Sequence, residues 1–289
     1  MLTASFFLTL ALTLIWLPAR VGYHLARYGW LLALIIALCL AWYLGRIEAI
    51  ALLPIILFGS LCYLFVRHEG RLRTLMGMLI ILFSLGLGLH LFPGFHNLQI
   101  VEHVQLSHDS MPYKLYFNFD KPLIGLFILY WLHPLIATRG QAALMLKQMA
   151  PAALLTLIAV LTLSLLIGYT RLDIKLPDFI GYWLWANLFF TCMAEEALFR
   201  GFMQRQLSLL FAGFKFGALW ALLICALLFG IAHAAGGYQY VLLATLAGLG
   251  YGWVYLRTQR IEASILLHFL LNCVHIVFFS YPALRPISG

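Results

Sequence analysis

The chain has 289 residues, 64% of them hydrophobic and only 10% charged, which is more apolar surface than a soluble domain can hide. That excludes an ordinary soluble enzyme and predicts an all-α fold, a polytopic transmembrane helix bundle. A net charge of +8 arises from 18 Lys and Arg against 10 Asp and Glu, but the cations stand singly or in short clusters between apolar stretches. Such a pattern reads as membrane topology and gives no nucleic-acid footprint.

In chain order, apolar spans are predicted at 2–18, 29–45, 49–66, 74–92, 122–137, 150–169, 179–201, 216–235, 238–256 and 261–280, about ten crossings with a range of eight to twelve. The first lacks a basic leader, and Leu17-Pro18-Ala19-Arg20 is a poor cleavage site, so it reads as a retained span rather than a signal peptide. The connection 93–121 carries His96, Glu102, His103, His108 and Asp109. Their spacing fits no compact helix or strand face, so a solvated loop is expected there rather than a metal site. Alternate connections hold 12 and 6 Lys and Arg residues, a bias that places the N-terminus outside and connections such as 67–73 and 257–260 in the cytoplasm. Cys39, Cys62, Cys192, Cys225 and Cys273 lie inside apolar runs without paired short spacing, as small core residues do.

Three polar clusters interrupt these spans. The first, Glu195, Glu196 and Arg200, ends a run of 16 uncharged residues at 179–194. Ionisable groups inside a span are costly and are kept mainly where they face a cavity, a partner or a reaction. On an α-helix Glu196 and Arg200 share a face and can pair, while Glu195 is turned about 100° away and is expected to be left free. A carboxylate in an apolar setting is a candidate general base near neutral pH. Snorkelling charges at a helix end are the plainer alternative. The second cluster is His233 at the end of Phe229-Gly230-Ile231-Ala232-His233. The third is His268-Phe269-Leu270-Leu271-Asn272, an imidazole and a carboxamide four apart on one face, with His275 continuing that face as an ordinary neighbour or a supporting group. For His268 and Asn272 an interhelical hydrogen bond is the alternative to a catalytic role. A water-activating carboxylate, two imidazoles and an amide donor from three apolar helices are the parts needed to hydrolyse a peptide bond inside a membrane.

In this the chain resembles the CAAX-protease and bacteriocin-processing (Abi) intramembrane endopeptidases, the family that includes the type II CAAX prenyl endopeptidases. Glu195-Glu196-Ala197-Leu198-Phe199-Arg200, Phe229 with His233, and His268 with Asn272 occur in the family's order. The resemblance implies a protease core at 179–280, preceded by N-terminal transmembrane helices of unknown role at 1–178 and followed by a short tail at 281–289. It implies that Glu195 with His233 activates water, that His268 and Asn272 hold the oxyanion, and that Glu196 and Arg200 support Glu195, with no metal. The alternative makes Glu195, His233 and His268 ligands of a zinc ion; a short motif such as His-Glu-x-x-His is absent. A non-catalytic immunity or scaffold protein of the same fold, or a transporter using Glu195 as a proton relay, are further readings. The implied partners are a peptide or membrane-protein substrate and the lipid bilayer, and the location is a multi-pass integral membrane protein, of the inner membrane if the host is a bacterium.

One geometric difficulty is visible at this level. At about 1.5 Å per residue, His268 lies ~12 Å along its helix from 257–260, whereas His233 lies ~27 Å along a helix starting on the same side near Lys215. The 41 residues between Lys215 and Arg257 carry no formal charge. The predicted resolution is that the Gly236-Gly237 connection stays inside the membrane, lining a cavity beside His233.

Overall fold

The computed structural model describes residues 2–17 and 22–285, the side chains of Tyr23 and Ala26 aside. Pro18, Ala19 and Arg20 of the sequence considered for cleavage, and residues 286–289 of the tail, lie outside the described residues. Each predicted apolar span contains helix. The elements are α1 (Leu2–Leu14), α2 (Tyr23–Tyr43), α3 (Ala49–Phe65), α4 (Gly70–Gly88), α5 (Pro122–Leu132) and α6 (Arg139–Leu166). A continuous helical stretch over 180–210 follows, made of α7 (Ile180–Trp185), α8 (Met193–Glu196) and α9 (Arg205–Leu210) joined by π-helical turns at Ala186–Cys192 and Ala197–Gln204. The chain then forms α10 (Gly217–Ile231), α11 (Tyr238–Thr258) and α12 (Ile261–Phe278).

Among the described residues, α4, α6 and α12 are long and apolar enough to cross a membrane, and shorter apolar helices accompany them. Helices with outward apolar side chains, such as Leu53 and Ile56 of α3 and Leu154 and Leu155 of α6, all at least 60% exposed, suit hydrocarbon as the surrounding solvent. The expected all-α architecture gains one addition. Inside the connection expected to be a solvated loop, β1 (Leu98–Val104) and β2 (Tyr113–Phe117) pair as a two-stranded sheet. In β2 the apolar residues Tyr113, Leu115 and Phe117 alternate with Lys114 and Tyr116, and the burial alternates with them. This is the period-2 signal of a half-buried strand.

The chain divides into two compact units. Unit 1 comprises 1–98, 117–139 and 188–202. Its centre is α5, an eleven-residue helix apolar on all sides, in which every position from Pro122 to Leu129 is buried; a helix of that composition can only be core. Helices α1, α3, α4 and α8 pack around it, with Phe58 and Trp30 edge-on to Phe127. At Gly125 the α5 backbone closes on α8: a Cβ there would sit 3.4 Å from the amide nitrogen of Ala194 and the carbonyl of Met193.

Unit 2 comprises 99–116, 140–187 and 203–289. Here α11 packs between α10 and α12. Gly230 sets the α10–α11 approach, since a Cβ at that position would lie 1.9 Å from Thr245 Oγ1 and 2.8 Å from the Val241 carbonyl oxygen. Ser264 Oγ of α12 donates to the Tyr251 carbonyl of α11 at 2.8 Å. The strap before α7 runs beside the end of α12, its Asp173 and Lys175 amides donating to the carbonyls of Phe278 and Val277. In this strap a hydrogen bond from Ser107 and the nearby Lys175 hold the Asp173 carboxyl below its usual range against the opposing effect of burial. Burial lowers Lys175 from the ordinary lysine value despite Asp173 beside it.

Candidate active site

The three motifs are distributed between the units, and each unit builds its own part. In unit 1 the glutamates occupy the short α8, bracketed by the two π-helical turns. A π turn carries an extra residue, changes the aim of the following side chains and recurs at functional sites. Arg200 Nη1 donates to Glu196 Oε1 at 3.0 Å, with both side chains wholly buried. Glu195, which helical spacing leaves free, is in fact paired as well. Lys121 Nζ donates to its Oε1 at 2.6 Å, and only 17% of the lysine and 16% of the glutamate side chain is exposed. Lys121 stands 74 residues earlier in the chain, beyond the reach of any periodicity argument.

In unit 2, His233, His268, Asn272 and His275 line one cavity together with Phe229 and Tyr251; its volume is about 80 Å³. A single water needs roughly 10–15 Å³ and a few polar partners, so the space admits water or a polar group. The Phe229 ring meets both motif imidazoles, its centroid 4.6 Å from that of His233 and 5.9 Å from that of His268. His233 and His268, which straight ideal helices would separate, line the same cavity. Helix α10 ends at Ile231, and His233 lies past the helix end, at the start of a 3-10 turn (Ala234–Gly236) that leads directly into α11. Fifteen residues at about 1.5 Å each give ~22 Å of helix, short of the ~30 Å hydrocarbon thickness.

Local hydrogen bonds determine what these groups offer. His233 Nδ1 lies 2.7 Å from the Phe229 carbonyl oxygen. A carbonyl only accepts, so Nδ1 carries the proton, and in the neutral ring Nε2 carries the lone pair. His268 is 5% exposed and is clamped by the Tyr251 ring, stacked at 4.7 Å and 16°. Asn272 Nδ2 donates to Asn187 Oδ1 at 3.3 Å, which orients the carboxamide. Asn187 is a partner that sequence reasoning missed, although a lone carboxamide in an apolar run is a signal that could have found it. His275 meets the Tyr281 ring edge-on at 5.0 Å. Its Nε2 is buried and has no hydrogen-bond partner among the described residues.

Zinc was the alternative for Glu195, His233 and His268. Among the described residues no group of three or more His, Cys, Asp or Glu side chains is gathered as a metal site, and Glu195 already holds an ammonium at 2.6 Å.

Apolar helices with lipid-suited faces describe a helical membrane protein, and unit 2 holds a mostly apolar cavity into which two motif imidazoles and a carboxamide are gathered. Residues 177–274 match the family Type II CAAX prenyl endopeptidase Rce1-like, in agreement with the resemblance read from the order of the three motifs. The match covers about a third of the chain and contains Glu195, His233, His268 and Asn272. No curated protein and no solved structure matches the chain.

Proposed function

We propose that this protein is an intramembrane endopeptidase that hydrolyses a peptide bond of a membrane-associated protein or peptide with a carboxylate-activated water. The observation that carries the reading is the convergence of His233, His268 and Asn272, drawn from two separate motifs, on one cavity large enough for water. The assigned tautomer supports it. With Nδ1–H committed to the Phe229 carbonyl, His233 Nε2 can accept a proton and later return it to the leaving amine. By the motif resemblance, Glu195 is the base that activates the water. His268 and Asn272 donate to the oxyanion that forms when the water attacks, a contribution that grows with charge development and so accelerates the step. Glu196 and Arg200 neutralise each other and support the helix that carries Glu195. In this reading the protein is a multi-pass integral membrane enzyme with 67–73 and 257–260 in the cytoplasm.

The test compares membrane proteomes of cells carrying the wild type or Glu195→Gln. New peptide termini that are present with the wild type and vanish in the variant are the expected result, and prenylated proteins belong among the candidates because of the matched family's name. Retention of every terminus and of the cellular phenotype in E195Q would reject the enzyme in favour of a scaffold or immunity protein.

A further inference from the structure

We infer that Lys121, outside the matched family segment, is the positioning residue of Glu195: its ammonium compensates the carboxylate and aims it. The role given to Glu195 rests on the endopeptidase reading; the ion pair itself rests on the geometry of unit 1.

Two adjacent carboxylates on α8 are largely withdrawn from solvent, and each needs a cation if it is to stay ionised there. Arg200 serves Glu196 at 3.0 Å. Lys121 serves Glu195 at 2.6 Å, a short contact of the charge-assisted kind. The lysine is delivered by a rigid mount. It is the residue before Pro122 at the start of α5, and the preceding Asp120, 1% exposed, is tied from three sides. Asp120 accepts hydrogen bonds from the Lys121 amide at 2.9 Å, from Asn97 Nδ2 at 3.1 Å and from His90 Nδ1 at 2.7 Å. Asn97 in turn accepts from the Phe119 amide at 2.8 Å. One turn further on, Gly125 presses the α5 backbone against Met193 and Ala194, the two residues that precede Glu195. Lys121 and Gly125, four apart, share a face of α5, so the same packing that seats α5 brings the ammonium to the carboxylate. These contacts fix the backbone from which the lysine side chain reaches Glu195, so its starting point is set before the pair forms. The arrangement also gives the N-terminal part of the chain, which carries no family motif, a specific task.

The test uses the full-length protein as K121M, K121R, E195Q and K121M/E195Q. In membrane proteomes at matched protein abundance, K121M is expected to lose at least tenfold of the wild-type product termini, while K121R, which keeps the charge, stays within about threefold. In thermal unfolding of detergent-purified protein, K121M lowers the midpoint and adding E195Q recovers most of the loss, because the uncompensated charge is gone. Undiminished product from K121M, or additive midpoint shifts in the double variant, would overturn the inference. If K121M does not accumulate, recovery of K121M/E195Q supports the pair and failure of both variants overturns it. Identical termini from wild type and E195Q overturn the endopeptidase reading and the positioning role with it, whereas additive unfolding shifts overturn the pair alone.

Discussion

Arg200→Met removes one half of an ion pair whose side chains are both fully buried, with Nη1 3.0 Å from Glu196 Oε1. An exposed pair is worth at most about 1 kcal/mol, but removing one partner of a buried pair strands a charge and costs about 3–5 kcal/mol. With an unfolding entropy near 2 cal/mol/K per residue, this corresponds to a fall of ~5–8 °C in the midpoint if the chain unfolds as a whole. The companion variant E196Q/R200M removes both charges and is expected to regain most of that loss. The assay is thermal unfolding in detergent, followed by the cleavage readout at a temperature where all variants are folded. There the double variant keeps measurable cleavage and E195Q does not, which separates a supporting pair from the proposed base. A loss below about 1 kcal/mol in R200M would refute the burial argument, and abolished cleavage in a folded E196Q/R200M would refute the supporting role.

Gly230→Ala is expected to destabilise by about 1–3 kcal/mol, as overpacking does, because the new methyl meets the Val241 backbone carbonyl as well as Thr245. G230A/T245A recovers only part of this in the same unfolding assay, and full recovery would show that the carbonyl contact is harmless. Chelator-treated protein, checked by elemental analysis, is expected to retain its cleavage rate with substoichiometric metal. Loss of activity that one equivalent of zinc restores would favour the metal reading.

Local information went far in this chain. Apolar segment lengths located the helices, because a helix satisfies its own backbone hydrogen bonds and needs only an apolar run to be stable in hydrocarbon. The pairing of Glu196 with Arg200 was legible for the same reason, since neighbours at i and i+4 are set by helical geometry alone. The order of the three motifs led to the family segment at 177–274. The strand at Tyr113–Phe117 was legible in principle, through its alternation, but was hidden in a polar stretch that reads as loop.

What only the tertiary structure decided are the contacts between distant elements. Sequence spacing released Glu195, whereas the packing of α5 on α8 gives it Lys121. Spacing put His233 within a helix, but α10 ends at Ile231 and leaves the imidazole past its end, bonded to the Phe229 carbonyl and facing the cavity shared with His268. Asn187 meets Asn272 across 85 residues of chain. Periodicity records which residues share a helical face; which face meets which is set by close packing at a few small residues, Gly125 and Gly230 here, and no local pattern encodes it.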